Sequence, residues 1–265
     1  MADVLSTVES NGVRLAVEVV GEGEPVTVLA HGLTGSRADV AVFAPFLPGT
    51  NVLFDFRGHG DSERPPPGGY SMNDFAADVD RVAAAFGATR LAGISLGGGA
   101  TLRLLRTVPD RFEKLVLLLP TRLERSMLAH TQLLRLADLL ERYPVPKVAD
   151  MLLEEEDRAG RFDQFPAARE FRRSVILRMN RDGIPAAIRE ALDDPPLGDD
   201  AEAMARVSAP ALVIGQRGDP IHAAVVAEEL AEALPNAELL LFDDPNALLR
   251  DIPAVVQKVA AFLDG

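Results

Sequence analysis

Apolar residues fall along this chain in two rhythms that trade places repeatedly. Residues 14–20 (RLAVEVV) alternate with a period of two, the mark of an antiparallel or edge strand. Residues 26–32 (VTVLAHG) and 51–58 (NVLFDFRG) are continuous apolar runs ending in glycine-rich loops, which predicts parallel strands buried on both faces. Residues 90–95, 114–120, 210–215 and 237–242 read the same way. Helical spacing fills the gaps: 75–88, with a glycine near its end as a stop, then 99–112, 222–235 and 252–263. Strands alternating with helices predict an α/β fold, a mostly parallel sheet of about eight strands with helices on both faces.

One stretch breaks the alternation. Residues 121–208 offer no strand but several helical patterns, at 123–143, 167–179 and 184–192, punctuated by prolines. They read as a helical cap inserted over the C-terminal edge of the sheet, with 1–120 and 209–265 forming the core. The run 152–158 (LLEEEDR) reads as a solvated charged face.

Composition narrows the partners. The 265 residues carry a formal net charge of −13, a field that repels phosphate backbones and anionic lipid, so neither nucleic acid nor a membrane surface is expected. No apolar run reaches the length of a membrane span, and the opening MADVLSTVES has no signal-peptide pattern, so a cytoplasmic location is expected. Without cysteine there is no disulfide, thiolate metal site or cysteine nucleophile. The four histidines, at 31, 59, 130 and 222, show no metal-ligand spacing, and no cofactor is expected. The partner left open is a small molecule; the oligomeric state is open, a homodimer included.

The strongest chemical signal is GISLGGG (93–99), a G-x-S-x-G between a buried strand and a helix. Glycines two residues either side of Ser95 permit a tight strand-to-helix turn that lifts the serine oxygen above the sheet edge. The loop AHGLTGS (30–36) follows an earlier strand, and its Leu33 N–H, with that of Leu96, can face an oxyanion formed at Ser95. Each such donor contributes roughly 3 kcal/mol where negative charge develops.

With HG (31–32), DFRGHGDS (55–62), GISLGG (93–98), RGDP (217–220) and the closing DIPAVVQKVAAFL in this order, the chain resembles the capped α/β-hydrolases over essentially its whole length. The resemblance implies Ser95 as nucleophile and Asp219 as triad acid. It also implies that Arg57 and His59 are architectural, and that His31 braces the oxyanion loop. His31, Gly32 and His130 are the candidates for substrate contact.

The family's general base is a histidine after the last strand, five residues before an acidic residue of an E-x-P-like motif. Counting back from Asp251 of DIP lands on Asn246. An amide cannot take a proton from a serine at neutral pH, whereas imidazole can. The base position therefore reads as vacant. One substitute stands in the sequence: His222, three residues after Asp219, although that spacing is short for a histidine that must also reach Ser95. Two readings follow. One is a cofactor-free serine hydrolase of small esters, lactones or related acyl compounds, working through a Ser95 acyl-enzyme. The other is a ligand-binding pseudo-hydrolase, or a lyase or isomerase, that keeps only the oxyanion pocket.

Overall fold

The computed structural model describes residues 4–120, 127–163, 166–192, 194–197, 201–219, 221–244 and 247–265. Its sheet is built from β1 (Val4–Ser10), β2 (Val13–Gly21), β3 (Val26–Ala30), β4 (Thr50–Phe54), β5 (Arg90–Ile94), β6 (Lys114–Leu118), β7 (Ala211–Gln216) and β8 (Ala237–Phe242). They lie in the order β1-β2-β4-β3-β5-β6-β7-β8. The first two pairings are antiparallel and all later ones parallel. This is the mostly parallel eight-stranded sheet that the alternation predicts.

Burial on both faces explains the continuous apolar runs except 237–242, which forms the edge strand β8 and holds no buried residue. On β6, Leu115 and Leu117 point into one core while Val116 and Leu118 point into the other. On β7, Ala211 and Val213 oppose Leu212 and Ile214 in the same way. Helices cover both faces: α1 (Arg37–Val40), α2 (Met72–Phe86), α3 (Leu96–Leu105), then α4 to α7 in the insertion, and finally α8 (Ala224–Ala233), α9 (Ala247–Arg250) and α10 (Ile252–Asp264). Helix α2 starts one turn earlier than its apolar spacing suggests. Ser71 caps it, accepting from the Asp74 N–H at 3.2 Å while the Asp74 carboxylate accepts from the Ser71 N–H at 3.0 Å. Gly87, at φ 65°, ends it.

Between β6 and β7 the described residues form helices α4 (Met127–Arg142), α5 (Val145–Arg158), α6 (Pro166–Leu177) and α7 (Ile184–Ala191) around their own apolar cluster. Two features differ from expectation. Residues 152–158 are not merely a solvated face: they are the C-terminal half of α5, and their acids pair with arginines of the flanking helices. Glu156 lies 3.2 Å from Arg172, Asp157 lies 2.9 Å from Arg169, and Glu155 pairs with Arg135. The eighth strand is β1, which carries no clear apolar period. Among the described residues, no helix is long and apolar enough to cross a membrane.

The turn from β5 into α3 is a close backbone crossing. A Cβ on Gly97 would overlap the Ala30 carbonyl oxygen at the end of β3, and a Cβ on Gly93 would sit 2.6 Å from the Gly97 carbonyl carbon and the Gly98 nitrogen. Gly98 is different, since its Cβ would meet only ordinary contacts, the nearest at 3.5 Å. Gly97→Ala is therefore expected to lower stability by about 1–3 kcal/mol or more, because backbone must move. Gly98→Ala should be neutral or stabilise by up to about 1 kcal/mol through helix propensity. Urea unfolding of the two variants checks the contrast; equal effects would contradict the packing account.

Candidate functional site

Ser95 sits between Gly93 and Gly97 with φ 49° and ψ −106°, a conformation that a non-glycine residue holds only when its surroundings enforce it. The enforcement is visible. Its N–H donates to the Leu118 carbonyl of β6 at 3.0 Å, and its carbonyl accepts from the Gly99 N–H at 2.9 Å. The side chain stands at the N-cap of α3 but makes no capping bond, which leaves Oγ for another partner.

That partner is His222. Its Nε2 lies 2.9 Å from Ser95 Oγ, and its Nδ1 lies 3.3 Å from Asp219 Oδ2. The three-residue spacing is thus no obstacle, because the loop after β7 folds back on the Asp219 side chain. Asp219 Oδ1 accepts the backbone N–H groups of Ile221 (2.8 Å) and His222 (3.0 Å), which swings the imidazole over the carboxylate. The Gln216 amide donates to Oδ2 at 2.8 Å. Burial opposes ionisation of Asp219, but the hydrogen bonds and charge of His222, together with Gln216, outweigh it and hold the carboxyl well below the usual carboxylate range. With Asp219 ionised, the consistent tautomer has Nδ1–H directed at the carboxylate and Nε2 accepting from the Ser95 hydroxyl.

The loop after β3 lies alongside. A Cβ on Gly32 would stand 3.7 Å from that of Ser95, so Gly32 is a direct neighbour of the serine. The His31 carbonyl accepts from the Gly97 N–H at 3.1 Å, tying this loop to the first turn of α3. Among the described residues neither the Leu33 N–H nor the Leu96 N–H finds an acceptor. The Leu33 side chain packs between the main core and the insertion's cluster. Its carbonyl lies 2.6 Å from His59 Nε2.

His31 is not placed to contact a substrate. The ring is fully buried, with Nδ1 2.8 Å from the Gly32 carbonyl and Nε2 accepting from the Phe56 N–H at 3.0 Å. Burial, aided by the neighbouring His59, lowers its pKa to about 3, so it is a neutral brace. His59 is equally buried, held between the carbonyls of Leu33 and Arg57, and burial pushes its pKa down as well. Arg57 is enclosed beside Asp78, bonded at 2.9 and 2.6 Å. His130 lies partly buried on α4, and no described contact joins it to Ser95. Asn246 lies outside the described residues. Asp243 and Asp244, in the loop before it, pair with Arg217 at 3.3 Å and Arg250 at 2.8 Å. Gln216 is the residue that the sequence patterns pass over; its only signal is a polar side chain closing the otherwise apolar strand ALVIGQ. Among the described residues no cluster of three or more metal-ligating side chains occurs.

The chain is similar to known proteins in sequence and in fold. The chain is 40% identical over 102 residues to a putative carbamate hydrolase, RutD, of Caulobacter segnis, a match covering 36% of this chain and 37% of that protein. Among solved structures it is similar to an enol-lactonase from Burkholderia xenovorans LB400 (22% identity, TM-score 0.80, 98% and 100% of the two chains). It is also similar to a hydrolase from Pseudomonas aeruginosa PA01 (25% identity, TM-score 0.81, 100% of both chains). A family profile described as the alpha/beta hydrolase fold matches residues 25–249. With that match spanning most of its length, the chain belongs to the α/β-hydrolase family.

Proposed function

We propose that this protein is a cofactor-free serine hydrolase of small esters, lactones or related acyl compounds. The observation that carries the reading is the position of His222, within hydrogen-bond reach of both Ser95 and Asp219. His222 Nε2 takes the Ser95 proton as Oγ attacks the carbonyl carbon, and Asp219 stabilises the imidazolium that forms. The N–H groups of Leu33 and Leu96 receive the oxyanion. His222 then protonates the leaving oxygen or nitrogen, and water, deprotonated by the same ring, releases the acyl group from Ser95. The substrate class is in keeping with the relatives, a putative carbamate hydrolase and an enol-lactonase, both named for acyl compounds.

In this scheme the base comes from the loop after β7 instead of the loop after β8. The vacancy at Asn246 then disables nothing. Ser95→Ala and His222→Ala should each lower kcat/KM for a p-nitrophenyl ester by about 10³-fold or more, as removal of a working triad member does. Initial rates in the two variants and the parent test this; near-parental rates in either would remove that residue from the chemistry.

The pH profile carries a second expectation. The Asp219 carboxyl is held well below the usual carboxylate range, so a rise of kcat/KM with pH in the mildly acidic range is not its own titration. That limb should vanish in His222→Ala. Asn246→His should change the rate less than about twofold, against the gain of about 10²–10⁴ that a newly supplied general base brings. A large gain there, with His222→Ala silent, would establish the vacancy instead.

A further inference from the structure

Strand β7 is apolar and buried until its last residue, Gln216, whose side chain is only 6% exposed. A buried amide destabilises unless its donors and acceptor are bonded. Both ends of this one are. Its Nε2 donates to Asp219 Oδ2 at 2.8 Å, and its Oε1 accepts from the Leu248 N–H of α9 at 3.4 Å. The sequence Gln216-x-x-Asp219-x-x-His222 therefore holds three bonded side chains on one loop.

The division of labour on the carboxylate explains what the amide does. Oδ1 is occupied by the N–H groups of Ile221 and His222. Those bonds restrain rotation about Cβ–Cγ from one side of the carboxylate, and what binds Oδ2 sets the restraint on the other. Oδ2 is the oxygen that faces the imidazole, at 3.3 Å, and Gln216 is its other partner. Acid and base lie three residues apart, so the loop has little slack to absorb a rotated carboxylate. A pivot at Asp219 would move His222 Nε2 relative to Ser95 directly.

Building on the hydrolase reading above, we infer that Gln216 is a positioning residue: its amide fixes the plane of the Asp219 carboxylate and so aims His222 at Ser95. It touches no reacting atom. The amide also withdraws charge from Oδ2, so its removal makes the carboxylate a stronger partner for a protonated ring. The groups facing that ring are Asp219 from its own loop and the Ser95 hydroxyl from the β5–α3 turn; the Arg217 charge is directed to Glu228 and Asp243.

The test compares Gln216→Met, which removes the donor, with the isosteric Gln216→Glu, which places a second carboxylate against Asp219. Ring-proton NMR titrations follow His222, identified by the signal lost in His222→Ala, alongside ester kinetics. The expected result is a His222 midpoint displaced to higher pH by about 0.5 unit or more in Gln216→Met, and further in Gln216→Glu. Kcat should fall about tenfold with KM within about twofold of the parent. A midpoint within about 0.2 unit of the parent in folded variants overturns the inference, whatever the rates do, because a purely structural amide would alter stability alone. Should both variants fail to fold, the parent decides: the Gln216 side-chain amide signals must shift with the same midpoint as His222, and flat signals overturn the coupling. The titration needs no turnover. Failure of the hydrolase reading, seen as an undiminished rate in Ser95→Ala, is thus distinguishable from failure of this one.

Discussion

The site rests on a backbone crossing that leaves no room for a side chain. Where α3 leaves the sheet, the Gly97 backbone lies against the Ala30 carbonyl, and its N–H donates to His31 one residue further along. This contact brings the first turn of α3 beside the loop after β3, so that Leu33 and Leu96 present unengaged N–H groups near the same serine. It also fixes the backbone of Ser95 at positive φ. Were residue 97 to carry a Cβ, the helix would have to withdraw from β3, and Ser95 would move away from the loop after β3. The glycine pattern thus follows from packing first, and its chemical consequence second.

On the opposite side of Ser95 the controlling element is one carboxylate. Asp219 gathers two backbone N–H groups, one amide and one imidazole within seven residues of chain. Folding the loop around the acid brings a histidine from the same loop against Asp219 and Ser95. A short local loop loses less entropy on closure than a distant one. It also ties the imidazole to the carboxylate so closely that the two cannot be displaced independently.

Much of this was legible in the residues, and the exceptions have physical causes. The both-face burial of β3 to β7 writes itself as continuous apolar runs, and the elbow glycines mark Ser95 directly. Strand β1 escapes because its apolar residues, at 4, 5 and 8, keep no period of two; a full ladder to β2 holds it instead. Helix α5 is hidden by Pro144 and Pro146, which read as breakers. They sit at the N-cap and in the first turn, where proline removes no needed donor. His222 is discounted by spacing because chain distance says nothing of an Asp side chain capping the two following N–H groups. Gln216 leaves almost no trace, since one buried amide at a strand end resembles any polar strand terminus. The expected substrate contact of His31 fails for a related reason. A histidine beside a glycine-rich loop looks chemical, yet both of its nitrogens are committed to backbone groups.

The segment DFRGHGDS shows how far such commitment extends. Asp55 accepts from the N–H groups of Arg37 (2.7 Å) and Asp61 (3.0 Å) and pairs with the Arg37 guanidinium. Phe56 donates its N–H to His31, and Arg57 locks to Asp78 of α2. A side chain on Gly58 would collide with Tyr70, and one on Gly60 with Asp55. Ser62 donates to the Asp55 carbonyl at 2.6 Å and accepts from the Ala16 N–H at 2.9 Å. His59 reaches the Leu33 carbonyl, next to Gly32, the direct neighbour of Ser95. The insertion rests on this same segment: Asn180 donates to the Gly60 carbonyl at 3.2 Å, and Gly183 lies so close to the Gly58 carbonyl that a Cβ would overlap it. One segment therefore supports the loop after β3 on one side and seats the helical insertion on the other. A change in how the insertion sits cannot leave Leu33 untouched, because both are bonded to neighbouring residues of a segment with almost no free polar group left to give.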